Sequence, residues 1–87
     1  MTEPALTLIV AADCSLCVAA RETAVAVAAE FGEHVIERSL DAEPELRARF
    51  AEEVPVLLID GTPRDFWRLD PVRLRRLLTE RAALKAR

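Results

Sequence analysis

Cys14 and Cys17 are the only cysteines in the 87-residue chain, and only Ser15 and Leu16 separate them. A Cys-x-x-Cys pair can exchange electrons with other thiols, staple a loop, or supply half of a metal site. A staple closing so short a loop contributes only roughly 2 kcal/mol on the chain-entropy model. Zinc asks for four ligands, and the other soft candidate is His34. If a helix follows the cysteines, its rise of about 1.5 Å per residue puts His34 roughly 25 Å from Cys17, so a metal would have to bridge two subunits. Thiol–disulfide exchange is the chemistry that this spacing favours.

The two sulfurs are not equivalent. Cys14 falls at the start of the following helical run, where partial positive charge favours a thiolate nucleophile. Cys17 falls on the apolar face of that run, with Ala20, Ala24, Val27, Ala28 and Phe31, and would resolve a mixed disulfide from the buried side. Two neighbours could tune Cys14. The carboxylate of Asp13 disfavours a thiolate beside it, and Arg21, whose side chain leans toward the helix start, could oppose that effect.

These residues require elements to hold them. Residues 5–12 form a nearly unbroken apolar run, the pattern of a strand covered on both faces. Asp13 is expected to cap the helix that continues to about Phe31, where Gly32 supplies a left-handed stop. Residues 34–40 read as a half-exposed edge strand. Asp41 then caps a second helix that carries Pro44 in its first turn and a buried stripe of Ala42, Leu46 and Phe50. Residues 54–59 read as a central strand, Asp60-Gly61 as a tight turn, and residues 62–67 as a return strand confined to an edge by Pro63. Asp70-Pro71 opens a last helix with Leu74, Leu77, Leu78 and Leu84 on one side, past which Arg81 is expected to snorkel to water. The order β-α-β-α-β-β-α describes one α/β domain over residues 1–87, a four-stranded mixed sheet with helices on both faces.

Composition narrows the setting. The chain is 52% hydrophobic and 31% charged, with two glycines, as expected of a packed helix-rich domain. Its net charge of −3 is unevenly spread: residues 1–63 hold 4 basic and 12 acidic side chains, residues 64–87 hold 8 and 3. A rival reading follows, a redox-inert binding module that docks partners through Arg73, Arg75 and Arg76 of the last helix. Basic residues without interleaved aromatics or a binding motif do not point to nucleic acid. Met1-Thr2-Glu3-Pro4 supplies no positive region ahead of the apolar run, so no secretory signal is expected, and no uncharged run approaches the ~20 residues of a membrane span. A cytoplasmic monomer is the expectation.

Three features together resemble the glutaredoxin-like branch of the thioredoxin superfamily over nearly the whole chain. They are Cys14-Ser15-Leu16-Cys17 after the first strand, Val54-Pro55 opening the third, and the Asp60-Gly61 turn. The chain is most similar to the small bacterial glutaredoxin-like proteins. The resemblance implies a three-layer thioredoxin-like fold and a thiol–disulfide oxidoreductase that uses Cys14 and Cys17. It also implies a cis bond at Val54–Pro55, with these two residues shaping a groove for an extended disulfide substrate. The implied partners are a disulfide-containing protein or a low-molecular-weight thiol, with a reductase or thiol donor; no bound cofactor is implied. The resemblance also raises glutathione as a reductant. Here its recognition pattern is replaced by Ala11 and Ala12 before the first cysteine, Glu53 before Val-Pro, and Arg64-Asp65-Phe66-Trp67 after the third strand.

Overall fold

A computed structural model of the chain describes residues 5–85. Residues 1–4, on which the expectation about a secretory signal rests, lie outside the described part. The elements follow in the order β1 (Leu6–Val10), α1 (Ser15–Glu30), β2 (Val35–Ser39), α2 (Pro44–Phe50), β3 (Val56–Ile59), β4 (Thr62–Phe66) and α3 (Pro71–Lys85). They build a mixed sheet of strand order β2-β1-β3-β4, in which β1 pairs parallel with β2 and antiparallel with β3, and β3 and β4 form a hairpin. A parallel pair requires a long crossover, and α1 supplies it.

Strand periodicity sorts the core into two halves. Leu6, Leu8 and Val10 of β1, with Leu57 and Ile59 of β3, pack with Cys17, Ala20, Ala24, Val27 and Ala28 of α1 and Leu74, Leu77 and Leu78 of α3. Ile9, Val56 and Leu58 pack on the other face with Leu40, Leu46 and Phe50. The result is three layers, with α1 and α3 on one side of the sheet and α2 on the other. The small side chains on α1 let its backbone lie close to the strands, with Cys17 among them.

Local chemistry sets the ends of the elements. After α1, Gly32 takes a left-handed φ of 68°, while the N–H groups of Gly32 and Glu33 donate to the carbonyls of Ala29 and Ala28 at 3.2 and 2.9 Å. This is a Schellman closure of the helix. Asp60 and Gly61 both have positive φ, 51° and 82°, the geometry of a two-residue hairpin turn that matches strand twist. Asp70 caps α3: its Oδ1 accepts from the N–H groups of Val72 and Arg73 at 3.0 and 3.4 Å.

Four expectations need correction. Cys14, not Asp13, is the N-cap residue of α1, and no side chain caps that end. Glu43, not Asp41, is the N-cap of α2, and Ala42 lies outside the helix and exposed. Leu84 is not part of the buried stripe: it is 65% exposed, because the cavity it borders with Ile59 and Thr62 is open to water. Arg81 does not snorkel to water. Its side chain is only 13% exposed, and its guanidinium donates to both oxygens of Asp60 at 2.8 and 3.1 Å and to Glu33 at 3.0 Å.

Candidate active site

Cys14 and Cys17 are joined as a disulfide with a Cα–Cα distance of 5.3 Å, inside the ordinary range for such bridges. Cys14 precedes the first turn of α1, with extended backbone angles of φ −114° and ψ 101°, and its carbonyl accepts from the Cys17 N–H at 3.2 Å. Its side chain is half-buried, whereas Cys17 is 3% exposed and packed in the core. The inequality read from helical periodicity is therefore present. One sulfur can be reached at the helix N-terminus, and the other lies behind it.

Strand register brings further residues to the same end of the sheet. Ile9 stands opposite Val56, so residues 11–14 leave β1 beside the point where Val54-Pro55 enters β3. The Val54–Pro55 peptide bond is cis. Pro55 is fully buried, Val54 half-buried, and no backbone hydrogen bond engages Val54 among the described residues. Val56 stands opposite Phe66, so Trp67 leaves β4 at this end as well. Trp67 takes a φ of 59°, donates its backbone N–H to the Pro55 carbonyl at 2.8 Å, and donates its indole N–H to the Glu52 carbonyl at 3.2 Å. Trp67 is 55% exposed. With Arg68 and Leu69 it forms one wall of a groove of about 250 Å³ whose other wall is Leu16, Ala19 and Thr23 of α1.

Of the two residues expected to tune the thiol, one stands beside it and the other is engaged elsewhere. Asp13 is exposed to water immediately before Cys14. Arg21 points to β2, where it forms a two-pronged ion pair with Glu37 at 2.5 and 2.9 Å. That contact holds the Glu37 carboxyl below the usual carboxylate range and raises the guanidinium further. An Arg21 charge neutralised in this way gives no support to a role in setting the Cys14 pKa. His34 is exposed beyond the far end of α1.

Two residues of the site, Trp67 and Asp41, carry no local signal in the sequence of the part they play. Asp41, expected to cap α2, turns its carboxylate to the loop before Cys14 and accepts the Ala12 N–H at 2.9 Å. That bond is the main reason its carboxyl sits below the ordinary Asp value. Nothing local distinguishes this use of an Asp from capping, because Asp41 and Ala12 lie 29 positions apart.

A three-layer α/β domain with a Cys-x-x-Cys disulfide at the start of its first helix is a protein of thioredoxin-like fold. Residues 5–79 match the family model described as Glutaredoxin-like domain (DUF836), and the chain belongs to that family. Uncharacterized proteins of Mycobacterium bovis and Mycobacterium tuberculosis are each 32% identical over 80 residues, which span 86% of this chain and 82% of theirs. Among solved structures, the X-ray structure of the structural-genomics target XcR50 from X. campestris superposes with a TM-score of 0.71 at 32% identity, covering 87% of this chain and 97% of that one. Its solution structure gives a TM-score of 0.68.

Proposed function

We propose that the protein is a thiol–disulfide oxidoreductase in which Cys14 attacks and Cys17 resolves. The observation that carries this reading is the unequal burial of a bonded cysteine pair at a helix N-terminus. In the reduced protein the Cys14 thiolate attacks one sulfur of a substrate disulfide. A mixed disulfide forms, and the first substrate thiolate leaves. The Cys17 thiolate then attacks Cys14 Sγ, releasing the second substrate thiol and closing the Cys14–Cys17 bond. Two electrons and two protons pass to the substrate in each cycle, and an external thiol or reductase restores the dithiol.

Val54 and Pro55 are the proposed substrate contacts. The unengaged backbone of Val54 stands where an extended substrate could add as a short strand beside the cysteines. The substrate is a disulfide-bearing protein or low-molecular-weight thiol, and the reaction suits a reducing compartment such as the cytoplasm. Ala11, Ala12 and Glu53 offer no cation for the carboxylates of glutathione, which favours another donor. No helix of the described residues is long and apolar enough to cross a membrane.

The test is to replace Cys17 with Ser and offer the reduced protein a disulfide substrate. A mixed disulfide trapped on Cys14 is expected, and Cys14→Ser should trap none. Absence of any adduct, together with absent dithiol reductase activity in the parent chain, would remove the enzymatic reading. Recycling assays with glutathione against a thioredoxin-reductase system identify the donor. A full glutathione-dependent rate would overturn the preference stated above.

A further inference from the structure

The loop that delivers Cys14 is not fixed by a cap of its own, because no side chain bonds to the N-terminus of α1. Ala11, Ala12 and Asp13 alone connect the end of β1 to Cys14. What holds this span comes from the segment after β2. The Leu40 N–H donates to the Val10 carbonyl at 2.9 Å, and the Ala12 N–H donates to Asp41 Oδ2 at 2.9 Å. Asp41 is itself braced. Its N–H donates to Ser39 Oγ at 3.0 Å, the Ser39 hydroxyl donates to Oδ2 at 3.3 Å, and Arg47 Nη2 of α2 donates to Oδ1 at 2.7 Å. Both carboxylate oxygens are engaged, one of them on the redox loop.

We propose that Asp41 is a positioning residue, fixing the Ala12 amide and through it the place of Cys14 relative to Cys17. The proposal rests on the reading that this pair undergoes thiol–disulfide exchange. Closing the bond requires one sulfur to lie within reach and in line with the other, and small misplacements at a reacting centre are costly. A charge effect is separable from a positional one. Asparagine at position 41 keeps an oxygen for the Ala12 N–H but loses the charge, whereas alanine loses both.

The experiment measures two properties of the full chain: the equilibrium of the Cys14–Cys17 disulfide with dithiothreitol, and hydrogen exchange at the Ala12 amide. In the first, two electrons and two protons pass from dithiothreitol, which cyclises to its own disulfide, to the protein. Asp41→Ala is expected to shift that equilibrium toward the protein dithiol about tenfold and to speed Ala12 exchange by a similar factor, the scale of a lost charge-assisted hydrogen bond. Asp41→Asn, which keeps an oxygen for the Ala12 N–H but turns an amide N–H toward Arg47, is expected to shift both by less than Asp41→Ala. Equal shifts in the two variants would reduce Asp41 to an electrostatic effect, and no change in Asp41→Ala would remove its role altogether. If Asp41→Ala does not fold, Ser39→Ala withdraws the brace instead. It should move both readouts in the same direction, and an unmoved result overturns the proposal. Neither readout needs a physiological substrate. A parent protein that turns over no disulfide would therefore sink the enzymatic reading while still deciding the role of Asp41.

Discussion

Trp67 shows how one residue can join two parts of the site. Its backbone N–H is fixed on Pro55 and its indole N–H on the loop before Val54, while its exposed ring forms a wall of the groove against Leu16. Trp67→Ala should therefore act on substrate binding more than on chemistry. The expected result is a KM for a peptide disulfide raised roughly three- to tenfold at little changed kcat, the scale of a lost aromatic contact, and steady-state kinetics with such a peptide check it. The two cysteines and their inequality were legible, because a spacing of three residues and a helical face are local properties. The positions of Trp67, Asp41 and Arg21 were not. Each depends on a partner brought from another element, and a left-handed φ at a tryptophan has no signature in composition.

At the scale of elements, part of the excess of base in the last third of the chain is answered within the molecule. Arg75 of α3 pairs with Glu30 of α1 at 2.9 and 3.0 Å, and Arg81 ties α3 to the β3–β4 turn and to the end of α1. Such pairing withdraws charge from the surface that a partner-docking helix would need. Arg81→Ala is expected to cost about 1–2 kcal/mol, discounted because water reaches the half-exposed Asp60. A drop of about 4–8 °C in Tm per kcal/mol would register it. Ion pairs of this kind also make stability fall in acid. Hydrogen bonds from Arg75, Arg21, Arg38 and Arg81 hold Glu30, Glu37, Glu43 and Asp60 below the usual carboxylate range. Folded values below unfolded ones mean that the stabilisation is complete above pH about 5, past the unfolded carboxylate range, and is lost as pH falls through the depressed values. Thermal melts should be nearly flat from neutral pH to about 5 and fall steeply below about 4. Helix and strand order was legible from periodicity and from Asp70-Pro71 and Asp60-Gly61. Arg81 was misjudged because its partners lie 21 and 48 residues away.

For the whole molecule, the sheet divides one small core into two halves that share its strands, so damage to either reaches the site. Leu74 is fully buried between α3 and the sheet. Leu74→Ala is expected to cost about 2–5 kcal/mol, a large part of the roughly 4–13 kcal/mol available to a domain of this length. Urea denaturation of the oxidised protein would measure it. The tryptophan that walls the groove is also the only one in the chain. Disulfides quench indole emission at short range, and the ring shares its groove with Leu16, which lies between the two cysteines in sequence, so its emission is expected to rise when the Cys14–Cys17 bond is reduced. Titrating the brightness of a single ring against a thiol buffer would give the potential of the pair without a label, a substrate or a coupled enzyme.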